Sequence, residues 1–230
     1  MNRGERLEQL YGHRFEIFFI TQVTILFGSL IVPLDFYEKV LQPALFLFNL
    51  AAGLLFISNN KLLLRVFLGL FAVALLVFGW NFMGKPEQLG PLEYVRLAVY
   101  FLFYIIVTSE IVKQVWQAER VSRNVIIGLM SGYVAIGLIG FFLFLTIEIM
   151  HPGSFGGLLI GDASVVSKID SLLYYSYITL LTIGYGEIYP ASVIAQKAAI
   201  LIGLVGQFYL VILTAVVVAK YIRHKELPQE

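Results

Sequence analysis

The sequence predicts an all-α membrane protein with six helices that cross the bilayer and a shorter one that enters it and turns back. Three observations carry this reading. The 230-residue chain is 59% hydrophobic and only 13% charged, with mean hydropathy +0.85, whereas a soluble globular domain is about one quarter charged. Six stretches approach the roughly 20 mainly apolar residues that a spanning helix needs. Between the last two lies an apolar and aromatic run too short to cross, which leads into a glycine-rich loop.

The six stretches are Phe15–Leu34, Leu41–Ser58, Leu62–Phe82, Tyr94–Val112, Val125–Met150 and Val193–Tyr221. Pro33 closes the first, and Asp35 and Glu38 follow it as solvated turn residues. Glu16 is read as interfacial. Arg65, one turn into the third stretch, and Arg96, one turn into the fourth, can snorkel to the interface. The polar run Lys113–Asn124 is a linker, with Trp116 as its interfacial anchor and Arg120 and Arg123 within reach of anionic lipid. Gly128 and Gly132 in the fifth stretch have the small-xxx-small spacing that lets helices approach closely, here expected to be the fifth against the sixth. Ser167 followed by Asp170 is a candidate cap for the short helix. If both termini lie on one side, only Lys39, Lys85, Arg96, Lys168 and Lys197 of the 16 basic residues face the other. The positive-inside bias therefore places both termini in the cytoplasm and the glycine-rich loop outside.

Several classes are disfavoured at once. A formal net charge of +1 argues against nucleic acid as a partner. With no cysteine in the chain, neither disulfides nor thiolate chemistry is available. His13, His151 and His224 are scattered and form no ligand-spaced cluster. The apolar stretches contain no paired carboxylates and no nucleophile–histidine arrangement, so an enzyme is not expected. The leading residues 1–14 are polar for too long to be a secretory signal and read as a cytoplasmic leader.

The centre of the chain is Asp170–Pro190, DSLLYYSYITLLTIGYGEIYP. A helix without Gly or Pro is expected from Asp170 to Leu181, re-entrant because it is too short to span. After it, Thr182-Ile183-Gly184-Tyr185-Gly186-Glu187 places two glycines around a tyrosine, which opens conformations that side-chain sterics deny most residues. If successive peptides alternate in handedness, their carbonyls point to one side as a ladder of neutral oxygens, suited to a dehydrated cation. One chain offers one strip of oxygens and a ring needs several, so the motif itself demands oligomerisation.

This run, with the preceding Tyr174-Tyr175-Ser176-Tyr177-Ile178-Thr179 and the flanking helices from about Val125 to Tyr221, resembles the pore of the tetrameric potassium channel family. The form it resembles has six transmembrane helices per subunit, a re-entrant pore helix and one selectivity-filter loop. The resemblance implies a cyclic homotetramer in which K+ is held by the carbonyls of Thr182, Ile183, Gly184, Tyr185 and Gly186 and by the Thr182 hydroxyl. It implies that Tyr174 and Tyr175 cuff the filter from behind, and that Glu187, where Asp is usual, concentrates cations or bonds to Tyr174. Tyr185 then points away from the pore. Gly206, twenty residues after Gly186, is either a gating hinge or a small residue for packing. Ala215, Val218 and Ala219 are candidates for the inner gate lining.

On this reading the domains are a leader (1–14), a voltage-sensor-like four-helix domain (15–112), a linker (113–124), a pore domain (125–222) and a cytoplasmic tail (223–230). Stepping by three from Arg96 meets Val99, Leu102, Ile105 and Thr108, none of them charged. Steep voltage gating uses about 3–4 charges per subunit, so the sensor is expected to lack its gating charges. Expected partners are K+ ions, membrane lipid and three further copies, with no cofactor and no nucleic acid, in the cell membrane. The alternatives are a voltage-gated channel with an atypical sensor and a potassium transporter subunit. Transporter subunits with related loops carry four degenerate repeats, and this chain has a single loop.

Overall fold

The computed structural model describes residues 11–57, 61–83, 91–119, 121–157 and 165–226. The first ten residues of the expected leader, Ser58, Lys85, Arg120, residues 158–164 and the last four residues of the tail lie outside them. So do the side chains of Asp35, Glu38, Lys39, Arg96, Ser167, Lys168 and His224.

The described elements are helical except for a two-residue ribbon. They are α1 (Arg14–Phe27), α2 (Gln42–Ile57), α3 (Lys61–Met83), α4 (Pro91–Gln117), α5 (Arg123–Met150), β1 (Phe155–Gly156), α6 (Val165–Leu180), β2 (Tyr189–Pro190) and α7 (Val193–Glu226). Among the described residues, Leu97–Gln117, Arg123–Met150 and Val193–Ile222 are long and apolar enough to cross a membrane, and Gln42–Ile57 is a shorter apolar helix. The chain clusters into two compact units, Met1–Gly132 and Tyr133–Glu230.

In the first unit, α1 buries Phe15, Phe18, Gln22 and Ile25, a three-four-three spacing that makes one helical face. The Phe15 and Phe18 rings meet Phe56 of α2 edge-on at 5.0 and 5.4 Å. Gly53 of α2 lies under the Phe103 ring of α4, where a β-carbon would stand 2.6 Å from it. A neutral polar network crosses this interior. Asn49 donates to the Phe18 carbonyl (3.2 Å) and the Thr21 hydroxyl (2.7 Å), and accepts from Tyr104 (2.8 Å). At the other end of α1, Arg14 donates to Gln114 (3.2 Å), which donates to the Phe56 carbonyl (3.1 Å). Glu16, expected at the interface, pairs with Arg123 at 3.3 Å.

Four sequence expectations are corrected. The first helix stops at Phe27, short of Leu34. A 3-10 turn (Gly28–Leu30) follows, and a helical run resumes after Pro33 through Leu34–Phe36 and a π-turn, Tyr37–Leu41. The buried Tyr37 side chain explains the break, because its hydroxyl donates to the Ile25 carbonyl and to that of Thr24 (3.3 Å). It thus takes up the Ile25 carbonyl, which a continuing helix would use, while its ring occupies the space beside Gly28. The linker shrinks because α4 runs on to Gln117 and α5 starts at Arg123, nothing in Lys113–Gln117 being a helix breaker. The short helix starts at Val165, ahead of the expected Asp170, while the expected Ser167 cap rests on a side chain outside the described residues. Gly128 faces Phe15 and Val115, not the last helix, because the start of α5 belongs to the first unit.

In a membrane, interhelical hydrogen bonds average about 0.6 kcal/mol with a range up to about 2 kcal/mol. Tyr104→Phe, which removes one bond of the network, is expected to cost about 0.6 kcal/mol, and Asn49→Leu, which removes three, about 1–2 kcal/mol. Thermal unfolding of the solubilised protein checks the order.

Candidate functional site

The site grows from the carboxyl end of α6. Leu181 N–H bonds to the Tyr177 carbonyl (2.8 Å) and Thr182 N–H to that of Thr179 (3.1 Å), closing the last turn. The amides of Ile183 (2.9 Å) and Gly184 (3.3 Å) then both return to the Ile178 carbonyl. One helix-terminal oxygen thus pins two consecutive peptides of the loop.

From there φ is positive at every second residue, +57° at Thr182, +58° at Gly184 and +93° at Gly186, with Ile183 and Tyr185 on the usual side. Two of the three left-handed positions are glycines, which take that conformation without steric cost. Thr182 is the only non-glycine with positive φ among the described residues. A β-branched residue there costs on the order of 1–3 kcal/mol and persists only where its surroundings over-determine it. Such alternation is the geometry that turns successive carbonyls to one side. Leu181 to Glu187 are all exposed, Tyr185 at 73%, and nothing stands within 4 Å of a β-carbon built at Gly184 or Gly186.

The loop is held from behind through hydroxyl groups of α5 and α6. Ser176 donates to the Gly137 carbonyl (2.6 Å) and Tyr177 to that of Val134 (2.7 Å). In return, Tyr133 of α5 donates to the carbonyl of Leu180, the last residue of α6 (3.2 Å). Small residues make room for this contact. Gly137 lies against the Tyr177 ring, Gly140 against the Ser176 hydroxyl and Ile202, and Gly206 of α7 against the Leu180 side chain. Sequence reasoning missed Tyr133, Ser176 and Tyr177 as anchors. The visible signal was hydroxyl side chains on an apolar helix, which must find acceptors when buried.

The expected tyrosine pair divides its work. Tyr174 is exposed and donates to the Glu187 carboxylate. Tyr175 is buried, bonds to Thr179, and packs its ring against Phe144 (5.1 Å) and Phe155 (5.4 Å). A cavity of about 360 Å³ lies behind the loop, bounded by Tyr175, Ile178, Thr179, Thr182, Gly184, Gly186 and Ile188–Pro190.

The outer end is braced as well. The Glu148 carboxylate at the end of α5 accepts from the amides of Gly153 (2.9 Å) and Phe155 (3.2 Å). Phe155 and Gly156 pair antiparallel with Pro190 and Tyr189, and the Ser154 carbonyl takes the amides of Ala191 (2.8 Å) and Ser192 (3.2 Å). Gly157, at φ +77°, abuts the Glu187 carbonyl, where no β-carbon fits. Further along α7, Ala215, Val218 and Ala219 are exposed.

Residues 132–223 match the family model described as ion channel. That segment is similar to ion-channel domains. It runs from the end of the first unit through α5, the braced loop, α6, the left-handed alternation and most of α7. No curated protein matches the chain. The family match and the three apolar candidate spans together support an ion channel in a membrane.

Gly206 offers a decisive substitution. A β-carbon there meets Leu180, so Gly206→Ala is expected to destabilise the fold by about 1–3 kcal/mol through overpacking. A glycine kept only for bending would gain up to about 1 kcal/mol of helix propensity instead. The change in unfolding temperature, read beside channel open probability, separates the two roles.

Proposed function

We propose that the chain is a potassium-selective channel subunit that conducts K+ passively, with no catalytic step, through the Thr182–Gly186 loop. The single observation that carries this is the left-handed backbone at Thr182, Gly184 and Gly186, alternating with ordinary conformations at Ile183 and Tyr185. Carbonyl oxygens so aligned replace the hydration shell of a cation without carrying charge, which lets the ion bind and still leave. The carbonyls of Thr182, Ile183, Gly184, Tyr185 and Gly186 and the Thr182 hydroxyl are assigned to K+, and Glu187 to the outer mouth.

A ring needs further copies, and the exposed surface supports them. The loop is uncovered from Leu181 to Glu187, and only 22% of the apolar span of α7 is buried, against 56% for α5. We assign the uncovered faces to three further copies around a fourfold axis, which encloses non-helical backbone as a bilayer requires. Six crossings with both termini cytoplasmic put the loop on the outer side of the cell membrane. The negative end of α6 then points toward the axis and favours a cation there. With Arg96 as the lone arginine of its helix face, steep voltage dependence is not part of this reading.

The planar-bilayer reversal potential in mixed K+ and Na+ tests it, and a value near the Na+ potential or an absence of current overturns it. Gly184→Ala is expected to abolish K+ flux while assembly persists, because a left-handed alanine costs about 1–2 kcal/mol in each copy. Tyr185→Val is expected to shift the reversal potential toward that of Na+, and Arg96→Gln to leave the conductance–voltage curve in place.

A further inference from the structure

The turn between α1 and α2 combines three features that a turn in water does not need together. Six apolar side chains at it are uncovered. Leu30 and Ile31 are 82% and 87% exposed, and Phe27, Leu34, Phe36 and Val40 around them are exposed too. Four of its amides bond within the turn. The amides of Ile31 (3.1 Å) and Val32 (3.2 Å) bond to the Gly28 carbonyl, and those of Phe36 (3.1 Å) and Tyr37 (3.0 Å) to that of Pro33. The Tyr37 hydroxyl bonds to the Ile25 carbonyl near the end of α1. Its height is the third feature. At 1.5 Å per residue the 14 residues of α1 rise about 21 Å from Arg14. The three residues of the 3-10 turn add about 6 Å. The rise ends just short of the roughly 30 Å of hydrocarbon in a bilayer.

We propose that the turn from Gly28 to Val40 is a lipid-contacting surface, seated in the outer leaflet where acyl chains meet headgroups. Lipid tails supply no hydrogen bonds, so backbone facing them must be satisfied internally, and exposed Leu, Ile and Phe are favoured there. The competing occupant is a second copy of the chain. Interfaces between proteins carry about one hydrogen bond per 100–200 Å² to fix their register, and this turn keeps the amides of Ile31, Val32, Phe36 and Tyr37 for itself. Because α1 is so short, the depth of this surface ties the first unit to bilayer thickness. The inference rests on the membrane orientation proposed above and is independent of ion selectivity.

The chain has no cysteine, which makes the test direct. Leu30→Cys, Ile31→Cys and Leu34→Cys are each labelled with a nitroxide in the full-length protein in phosphatidylcholine vesicles. Power saturation then compares access by oxygen, which concentrates in lipid, with access by a water-soluble nickel chelate. The expected result is severalfold greater access by oxygen than by nickel at all three positions. Access by nickel places the turn in water, and exclusion of both relaxants places it under a second copy, and either result overturns the proposal. Leu102→Cys, on an exposed position of the candidate span in α4, is the control. If nickel reaches it too, the membrane reading itself fails, whereas a lipid-exposed Leu102 beside a wet turn defeats the turn proposal alone.

Discussion

The carbonyl of Ile178 accepting two successive amides, Ile183 and Gly184, is the interaction on which the second unit turns. It ties two successive amides of the loop to the helix end. Every second residue then inverts its backbone, and the glycines at 184 and 186 meet that demand at no steric cost. Thr182 does not, so its conformation has to be held from outside. The alternation is an arrangement that this chain on its own has little reason to keep, and the surrounding structure exists to keep it.

That holding comes from the carboxyl end and the flank of α6 and from the chain beyond the loop. At its carboxyl end, Tyr133 ties the Leu180 carbonyl to α5, and Gly206 lets α7 close against Leu180. Along its flank, Ser176 and Tyr177 bond to carbonyls inside α5, where Gly137 and Gly140 leave room for them. Beyond the loop, the Glu148 carboxylate gathers the chain that forms the two-residue ribbon under Tyr189 and Pro190. The Ser176 bond is buried and those of Tyr133 and Tyr177 half-buried, where leaving a partner unpaired costs more than the bond contributes in water. The outcome is a loop fixed at its root and at its exit, with its middle uncovered.

The first unit shows what four helices do when arginines are not arrayed along the fourth. Its interior carries a neutral network centred on Asn49, and its ion pairs sit at the periphery, such as Glu16 with Arg123. Neutral amide and hydroxyl groups give registry between helices without a charge for an electric field to move. The break after Phe27 belongs to the same economy of polar groups. Tyr37 reaches back to the Ile25 carbonyl near the end of α1.

Much of this was legible in the sequence. Helix content, the order of elements and the position of the glycine-rich loop follow from apolar run length and from the spacing of Gly and Pro, which are local properties of the chain. The pair Gly184 and Gly186 announced the alternation because so few other conformations call for glycine at every second place. What the sequence could not determine was which residues meet at a distance. Gly128 has the same local signature as Gly137, yet one receives Phe15 and the other Tyr177. Tyr174 and Tyr175 are neighbours of one type, and only packing sends one to Glu187 and the other to Phe144. The end of α1 at Phe27 depends on a tyrosine ten residues on, past a proline. Local composition decided where helices and turns can form, and tertiary structure decided which carbonyl each hydroxyl answers, because a buried donor is satisfied by proximity in space and not by position along the chain.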